Sequence, residues 1–536
     1  MFDWSRVMSI ETVIQGRFDF GDKSPDTPDV PRHSSQAPEF RRGAVHHLLI
    51  GATPIKKYLH EAGQDWVLDL KELVMETDLS LFYSAYQRTG RKAIHPGLMI
   101  SLIVYGLLKG IKSLRALEQL SKLDIGSWWL TDGLQPDHST IGKFIQLHGQ
   151  LLQDDYFTAL TRVILQKLKV NTQEVACDGT IVDSVGSRYK EMRKEAIIEA
   201  MEQASDEKEK ERLSHALQVS EERGKKRQQR GKKGGVKICV TDSDAVYQRG
   251  KIVGSRASYK PSVLATKDRI ITGMSVHPSS ENAVIPDLLH QHKTITGKTP
   301  QTLMGDAGYC TLDNIALGEK IGLNFLSPSG KDGNPRKGTT NDFHKSKFTY
   351  DASNDIMICP AGRIMTVQER NKDRHGKSFV QYRCHDLANC PYADLCTRSK
   401  KARTVKRYVG DDAKTRHLAK MEQESSKKLF SQRQAMVEPV FSELKGFFNL
   451  RRFTRYGLKG ASIEMALFGI AYNLKRYLRL KERPCVDAKA PAMAVNGSEN
   501  AGLMTILLNY MFLRLNFRKK TIFTKRCCQI SFFSVV

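Results

Sequence analysis

The sequence lacks a long apolar run. No stretch of ~18 or more apolar residues without a charge occurs, which argues against a membrane-spanning helix. The first residues, MFDWSRVMSIETVIQGRFDF, lack the basic start and apolar centre of a secretory signal. We therefore expect a cytosolic protein without a membrane partner.

Cysteine is scarce and unevenly spaced. There are 10 cysteines in 536 residues, and four of them lie close together in one part of the sequence. In a long cytosolic chain this spacing favours reduced thiols or a metal site over a disulfide framework.

Positive charge is in clear excess. The chain has 84 Lys and Arg against 58 Asp and Glu, a formal net charge of +26. A polyanion is the simplest partner for such a surface, and we expect nucleic acid. The alternative is a basic protein that is merely soluble. At ~100–200 residues per domain, the length predicts about three to four structural units.

Changes of composition divide the chain into segments. Residues 1–43 are rich in Pro, Ser, Asp and Arg and predict a disordered leader. Residues 44–168 show helical periodicity, which predicts an all-helical domain. Residues 169–480 begin with β-branched runs and then alternate strands with helices, so we expect an α/β domain with a mixed sheet. Residues 481–536 form a basic and apolar tail without an assigned role.

Two inserts interrupt the α/β segment. Residues 187–235 are dense in charge and predict a projecting helix pair that ends in the basic run GKKRQQRGKK. We interpret this run as a phosphate contact, with a solvated arm as the alternative. Residues 326–425 hold the cysteine cluster and many turns. In the helical domain, PDHSTIGKF predicts a helix capped by Ser139 or Thr140 and carrying Lys143, either a DNA-groove helix or an ordinary packing helix.

Two aspartates follow apolar runs that predict strands. In VACDGTI, strand alternation puts Asp178 and Thr180 on one face, whereas Asp183 lies five residues further and faces the opposite side of a continuous strand. Asp306 ends the apolar run of TLMGDAGY and is flanked by glycines. Taken alone, such an aspartate is more often a turn residue or a helix cap.

A third carboxylate, Glu438, lies in a predicted helix with Lys445 seven residues on and therefore on the same face. Two carboxylates on neighbouring strands and a third on a packed helix can hold two divalent ions ~3.5–4 Å apart. Hard cations such as Mg²⁺ prefer oxygen ligands. The three acids together predict a Mg²⁺ or Mn²⁺ site suited to phosphodiester hydrolysis and strand transfer.

Several blocks of the sequence resemble the DDE transposases of bacterial insertion sequences, in the branch with a helical N-terminal domain and a cysteine-bearing insert. The blocks are CDGT, GDAGY, VEPVFSELKGFFNLRRFTRYGL, GRKAIHPGLMISLIVYGLLKGIKSLRALEQL, LQPDHSTIGKF, TDSDA at 241–245 and HPSSEN at 277–282. The resemblance covers about residues 45–480, with the blocks in the same order along the chain.

The resemblance implies an α/β fold with a ribonuclease H-like catalytic core. It also implies two-metal DNA cleavage and strand transfer, with terminal inverted repeats and target DNA as double-stranded partners and a homodimer acting on paired ends. By position, Asp178, Asp306 and Glu438 correspond to the catalytic triad of that family. Lys445 corresponds to the lysine of its Y-x2-R-x3-E-x6-K motif.

The motif is not matched throughout. Ser431 and Gln434 occupy its tyrosine and arginine positions, although the adjacent Arg433 can substitute through a small rotation of the helix. Further basic residues that could bind the DNA backbone lie just after this helix: Arg451, Arg452 and Arg455.

The cysteine cluster comprises Cys359, Cys384, Cys390 and Cys396, in ICPAG and YRCHDLANCPYADLC. Four thiolates can bind Zn²⁺ tetrahedrally, and an insert with little core of its own would benefit from such a staple. His385 is an alternative ligand. The alternative to a structural zinc site is a set of four reduced cysteines.

Three functions remain compatible with these features. The leading prediction is a DNA transposase. A decayed or domesticated transposase that binds DNA without cutting it is the second, supported by Ser431 and Gln434. A metal-dependent nuclease without strand transfer is the third, because hydrolysis and transfer use the same carboxylates.

Overall fold

The computed structural model describes residues 38–482, except 88–90, 188–189, 230, 232–233, 250–253, 281, 330–340, 374–375, 388, 398 and 400–401. Most of the predicted leader and all but the first two residues of the predicted tail therefore lie outside the described residues. Within the described part of the chain, no helix is both long enough and apolar enough to span a membrane.

Helices dominate the N-terminal part, as the periodicity predicted. They are α1 Ile55–Glu61, α2 Asp65–Glu76, α3 Pro96–Leu108, α4 Leu114–Leu123, α5 Ile125–Leu130, α6 His138–Leu151 and α7 Phe157–Leu168. A short two-stranded ribbon, β1 Leu49–Ile50 and β2 Thr53–Pro54, precedes them. Every residue of α3 is buried, which its run PGLMISLIVYGLL explains, and His95 caps it by accepting the amide proton of Gly97.

The cap of α6 differs from the prediction. The helix begins at His138, and Asp137 is its N-cap, accepting the amide proton of Thr140 at 2.6 Å. Ser139 and Thr140 instead lie in the first turn. A carboxylate in the cap position also interacts favourably with the positive end of the helix dipole, so Asp137 is the better cap.

The central element is a mixed sheet. Its strands are β3 Glu174–Gly179, β4 Val182–Asp183, β7 Val246–Arg249, β8 Ser255–Thr266, β9 Ile271–His277, β10 Thr302–Met304 and β11 Asn324–Leu326. Along its main path the order is β11-β10-β3-β8-β4, and β7 and β9 also pair with β8. The pairs β11-β10 and β10-β3 are parallel, whereas β8 is antiparallel to β3. The mixed α/β architecture predicted from the sequence is therefore confirmed.

Helices cover both faces of the sheet. On one face α10 Ile285–Thr296 and α11 Leu312–Lys320 bury a cluster that includes Val175 and Cys177 of β3. On the other face Ala176 belongs to the main core, shared with α15 Arg433–Gly446, α16 Gly457–Lys481 and the N-terminal helices. The strand alternation of β3 thus separates two cores.

The predicted continuous strand through Asp183 is wrong. β3 ends at Gly179, and Asp183 belongs to the separate strand β4, where its carboxylate pairs with Arg256 of β8 at 2.6 Å. Residues 180–181 belong to neither strand, although the Thr180 amide still donates to the Pro261 carbonyl of β8 at 2.9 Å. This break removes the alternation on which the facing of Asp183 was predicted.

The charged insert contains α8 Lys194–Gln203 and α9 Glu207–Gln229, next to the short pair β5 Glu191–Met192 and β6 Ile238–Cys239. Their apolar side chains form a small cluster of their own around Ile197, Leu213 and Ala216. The apolar positions at helical spacing thus stabilise this pair locally.

The cysteine-bearing insert is an antiparallel five-stranded sheet, which the sequence reading had described only as rich in turns. Its strands, in spatial order, are β12 Thr349–Asp351, β13 Ile356–Ile358, β14 Ile364–Lys372, β15 Ser378–Cys384 and β16 Thr404–Tyr408. The short helix α12 Ala393–Cys396 lies between β15 and β16, and α13 Asp411–Glu422 and α14 Glu424–Phe430 lead back to α15.

Candidate active site

Asp178 and Asp306 lie at one edge of the mixed sheet. Since β10 runs parallel to β3 with Met304 opposite Ala176, the residues two positions further, Asp306 and Asp178, follow at the carboxyl ends of neighbouring strands. Both are close to Cys177: burial raises the pKa of its thiol, and the carboxylates of Asp178 and Asp306 raise it further. The structure therefore places both acids near Cys177 at the same edge of the sheet.

Asp178 faces α15. It shares the face of Ala176, which packs in the core containing α15. The guanidinium of Arg433, in the first turn of α15, lies 3.1 Å from the Asp178 carboxylate and also donates to the carbonyl of Cys177 at 3.4 Å. The two side chains are only 11% and 22% exposed, so water screens their interaction weakly.

The other end of α15 contacts the same strand end. Lys445 donates hydrogen bonds to the hydroxyl of Thr180 and, at 3.1 Å, to the carbonyl of Ile181. Together with Arg433 at its start, this contact fixes α15 alongside the end of β3 at two points.

Glu438 lies between these two contacts. It is exposed, and Gln434 one turn earlier donates a hydrogen bond to its carboxylate at 3.0 Å. Seven residues separate Glu438 from Lys445, which places both on one stripe of the helix. Lys445 reaches Thr180, whereas Glu438 contacts Gln434 of its own helix.

A proline directly after Glu438 changes the hydrogen bonding of the helix. Pro439 has no amide proton, so the carbonyl of Ala435 loses its partner within the helix. Arg269, in the turn between β8 and β9, donates to this carbonyl at 3.0 Å. The role of Arg269 was not predicted from the sequence. The feature that points to it is Pro439, which leaves the Ala435 carbonyl without an amide donor inside the helix.

The loop that carries Asp306 is held from two sides. The Asp306 carboxylate caps a single 3-10 turn by accepting the amide proton of Gly308 at 2.9 Å. The backbone carbonyl of Asp306 accepts the Ser327 hydroxyl proton at 2.6 Å. Gly305 packs against the Tyr309 ring, where an added Cβ would lie 3.0 Å from the Tyr309 side chain. The buried His417 of α13 in turn contacts the carbonyl of Ser327 at 2.8 Å.

Each of the three acids therefore has a partner within the protein: Arg433 for Asp178, the Gly308 amide for Asp306 and Gln434 for Glu438. Among the described residues, no group of three or more His, Cys, Asp or Glu side chains is arranged so that it could hold a metal ion. The donor chemistry itself suits a hard divalent cation, because all three side chains offer carboxylate oxygens.

The arginines after α15 differ in their surroundings. Arg452 donates to the carbonyls of Ser184, Val185 and Gly186 at 3.0, 2.6 and 3.1 Å. Burial lowers the pKa of Arg455. Arg451 and Arg452 are both exposed, and Arg451 donates to the carbonyl of Lys445 at 3.4 Å.

Sequence reasoning missed the carboxylates that hold the start of α16. Glu464 is buried and accepts the amide protons of Thr454 at 2.7 Å and Arg455 at 3.1 Å. In the TDSDA segment, Asp242 accepts from the Gly457 amide and Asp244 from the Leu458 amide. These aspartates thus accept amide protons from the first turn of α16.

The helix α6 presents Lys143 on a partly exposed position. His148, on the same helix, is buried and contacts the Tyr86 hydroxyl at 2.8 Å. Burial lowers the pKa of His148 to about 4, so it is neutral at pH 7 and packs in the core.

The four predicted zinc ligands come together in the insert. Cys359, Cys384, Cys390 and Cys396 all line one cavity and are free thiols. Burial raises the pKa of Cys396, and the three other cysteines raise it further, as expected of neighbouring thiols. His385 contacts the Thr366 hydroxyl at 2.6 Å and is not among the residues that line the cavity.

Two parts of the chain match known protein families. Residues 358–478 match the family described as Transposase DDE domain, and residues 63–147 match the family described as Transposase domain (DUF772). No curated protein matches the chain.

The two matches lie in the order expected of a transposase with a helical N-terminal part and a C-terminal DDE domain. Two separate parts of the chain are thus similar to transposase domains. The matched DDE range contains Glu438 and Lys445, whereas Asp178 and Asp306 precede it.

Proposed function

We propose that this protein is a transposase that cuts DNA at the ends of its element and joins those ends to target DNA, using Asp178, Asp306 and Glu438 in a ribonuclease H-like core. The observation that carries the proposal is the fixed position of α15. Arg433 and Lys445 attach the helix to the end of β3 on either side of Glu438, beside the strand end that bears Asp178. The parallel neighbour β10 supplies Asp306 at the same edge.

The three carboxylates would hold Mg²⁺ or Mn²⁺. When bound, such ions activate water or a DNA 3′ hydroxyl and stabilise the leaving oxygen. Of the protein's own groups, Gln434 orients the Glu438 carboxylate through its amide, and the Gly308 amide orients that of Asp306. Arg433 compensates the charge of Asp178, in a position adjacent to the arginine of the family motif.

DNA binding is proposed for basic residues around this edge and on the helical part of the chain. Arg451 is exposed immediately after α15, and Lys445 ends that helix beside Thr180. Lys143 on α6 and the basic end of α9 would contact phosphates elsewhere on the duplex. The element ends, the target DNA and a second copy of the chain are the proposed partners.

The test is cleavage and joining of DNA that carries the element's own flanking repeats, with Mg²⁺, by the wild type and Glu438→Gln. Glutamine keeps the acceptor for Gln434 but removes the charge. A matched control is Glu424→Gln, since the Glu424 side chain is 92% exposed and lies on the preceding helix α14. We expect metal-dependent joining in the wild type and the control, and none in Glu438→Gln.

Two other results would replace the proposal. Cleavage by the wild type without joining would favour a metal-dependent nuclease. Binding of the repeats without any cleavage would favour a transposase that has lost its catalytic activity, for which the motif positions occupied by Ser431 and Gln434 provide the observation.

A further inference from the structure

We propose that the five-stranded insert holds one structural Zn²⁺ bound by the thiolates of four cysteines: Cys359, Cys384, Cys390 and Cys396. This site is separate from the proposed catalytic carboxylates and does not depend on them. All four side chains line a single cavity of the insert, and Cys359 lies 25 positions before Cys384 in the sequence.

The insert has little apolar core to stabilise it. Its cluster of buried side chains has six members: Phe348, Met357, Met365, Tyr382, Cys384 and Val405. On the long strand β14 only Met365 is buried, and most of the other residues are exposed. Small units with so little buried apolar surface commonly depend on a metal or a disulfide. The described cysteines are all free thiols, which leaves the metal.

The loop after β13 has the local structure of a thiolate ligand. The amide of Arg363 donates to the Cys359 sulfur at 3.3 Å, and the amide of Cys359 donates to the Arg363 carbonyl at 2.9 Å. Gly362 closes the turn with a φ of +75° and donates its amide proton to the Cys359 carbonyl. A hydrogen bond to sulfur stabilises the thiolate form that binds metals.

The Arg363 side chain connects this turn to the loop between Cys384 and Cys390. Its guanidinium donates to the carbonyl and carboxylate of Asp386 at 2.8 and 2.6 Å and to the carbonyl of Asn389 at 2.6 Å. The first cysteine is therefore held against the segment that carries the second and third. This outer contact acts like the partners that orient metal ligands in other proteins.

The last two cysteines are held by backbone hydrogen bonds of one short turn. Ala393 donates to the carbonyl of Cys390 at 3.1 Å, and Cys396, at the end of α12, donates to the carbonyl of Tyr392 at 2.9 Å. Four ligands thus come from a turn, a strand end, a loop and a short helix.

The cavity also suits a closed, charged centre. Its apolar lining includes Phe343, Phe348 and Met365, and two arginines, Arg363 and Arg403, also line it. Four thiolates around Zn²⁺ carry a net charge of −2, which two guanidinium groups can offset. Among the described residues, the four thiols are not yet close enough in arrangement to hold a metal ion. Zinc binding therefore requires these thiols to rotate about their Cα–Cβ bonds into the cavity that they line.

The fourth ligand is a cysteine, and His385 takes no part. His385 lies just beyond the end of β15, contacts the Thr366 hydroxyl at 2.6 Å and is not among the residues that line the cavity. A His385→Gln variant is therefore expected to keep the metal.

The first measurement is the metal content of the full chain purified under reducing conditions, by plasma mass spectrometry. We expect about one Zn²⁺ per chain. The variant Cys390→Ser should lose the zinc, and the matched variant Cys310→Ser, a partly buried cysteine outside the insert, should keep it. Retention of zinc in both Cys390→Ser and Cys384→Ser would overturn the proposal.

A second measurement does not depend on variants that could fail to fold. The wild-type chain, stripped of metal and titrated with Co²⁺ alone, should develop the visible bands of tetrahedral cobalt and the near-ultraviolet thiolate-to-cobalt absorption of four sulfur ligands. Added Zn²⁺ should displace the cobalt. Failure to bind either ion, or isolation of the chain with iron and acid-labile sulfide in place of zinc, would contradict the assignment.

Discussion

The guanidinium of Arg433 on α15 lies 3.1 Å from the carboxylate of Asp178 at the end of β3. This guanidinium lies beside a carboxylate that the proposed site would use to bind a divalent cation. Arg433 is therefore a stabilising partner of Asp178, and in the proposed site it would compete with the metal for the same carboxylate.

Replacement of Arg433 should separate these two effects. We expect Arg433→Gln to lower the free energy of unfolding in EDTA by roughly 1–3 kcal/mol, because a largely buried charge loses its hydrogen-bonding partner. Mn²⁺ should then stabilise the variant more than the wild type, since it can supply the missing charge. Urea unfolding with EDTA and with Mn²⁺ measures both quantities.

Arg416→Gln is the control for Arg433→Gln, because its ion pair with Glu319 is exposed at 3.0 Å. Surface pairs of this kind contribute little to stability. Equal stabilisation of wild type and Arg433→Gln by Mn²⁺ would refute the competition between Arg433 and the metal.

The contact between Lys445 and Thr180 predicts a coupled loss. Lys445→Met removes the donors to Thr180 and to the Ile181 carbonyl, so α15 should lose its attachment beyond Glu438. We expect DNA joining to fall by about tenfold or more, with a coupling energy to Thr180→Val of about 0.5–1.5 kcal/mol in a double-mutant cycle of stability. Lys428→Met, at an exposed position on α14, should leave joining unchanged.

Pro439 and Arg269 provide a test of how the helix around Glu438 is held. Arg269→Met should cost about 1 kcal/mol, because it leaves the Ala435 carbonyl without a donor. In a chain that also carries Pro439→Ala, the amide of residue 439 can donate to that carbonyl, and the cost should largely disappear. The free energy of unfolding is measured by chemical denaturation for the wild type, the two single variants and the double variant. Additive effects of the two substitutions would exclude the proposed role of Arg269.

The positions of Asp178 and Asp306 could be anticipated because apolar β-branched runs precede both, and such runs specify buried strands. The parallel pairing of β3 with β10 then follows from topology. The break after Gly179 could not be anticipated, since Thr180 and Ile181 contact Lys445, 264 residues away from Ile181. Local pattern carries no information on such a long-range contact.

The sheet of the cysteine insert was missed for a related reason. Its strands are largely exposed, so the apolar and polar alternation that identifies a half-buried strand is weak on β14. The four cysteines, in contrast, could be picked out as candidate ligands from the sequence, because residue type alone indicates their chemistry. The cap of α6 shows the opposite limit: Asp137, Ser139 and Thr140 are all good caps, and only the position at which the helix begins selects Asp137.

The buried His148 predicts a loss of stability in acid. Burial lowers its pKa from 6.5 to about 4, so the unfolded chain binds more protons than the folded chain between these values. The contribution of His148 to the free energy of unfolding is therefore fully present above pH 6.5. It decreases by roughly 1–3 kcal/mol as the pH falls towards 4. Urea unfolding at pH 7.5 and 5 should show a smaller decrease in His148→Gln than in wild type.

For this pH effect the matched control is His47→Gln, which changes an exposed histidine of the same helical part. It should show the wild-type decrease between pH 7.5 and 5. A decrease of the same size in His148→Gln would show that His148 does not contribute to the acid sensitivity.

The basic end of α9 predicts a salt effect on DNA binding. Lys225 and Lys226 are exposed near the end of this helix, and part of the basic run that follows lies outside the described residues. If both lysines contact phosphates, Lys225→Gln with Lys226→Gln should weaken binding to all sequences equally. It should also reduce the slope of log Kobs against log salt by about 2, because each phosphate contact releases ~0.9 counterions.

Replacing Lys320 and Lys372, two exposed lysines on α11 and β14, changes the net charge equally and should leave the slope unaltered. An unchanged slope in the α9 variant would mean that this helix pair is a solvated arm, and a fall in slope for both variants would mean that net charge governs binding irrespective of position.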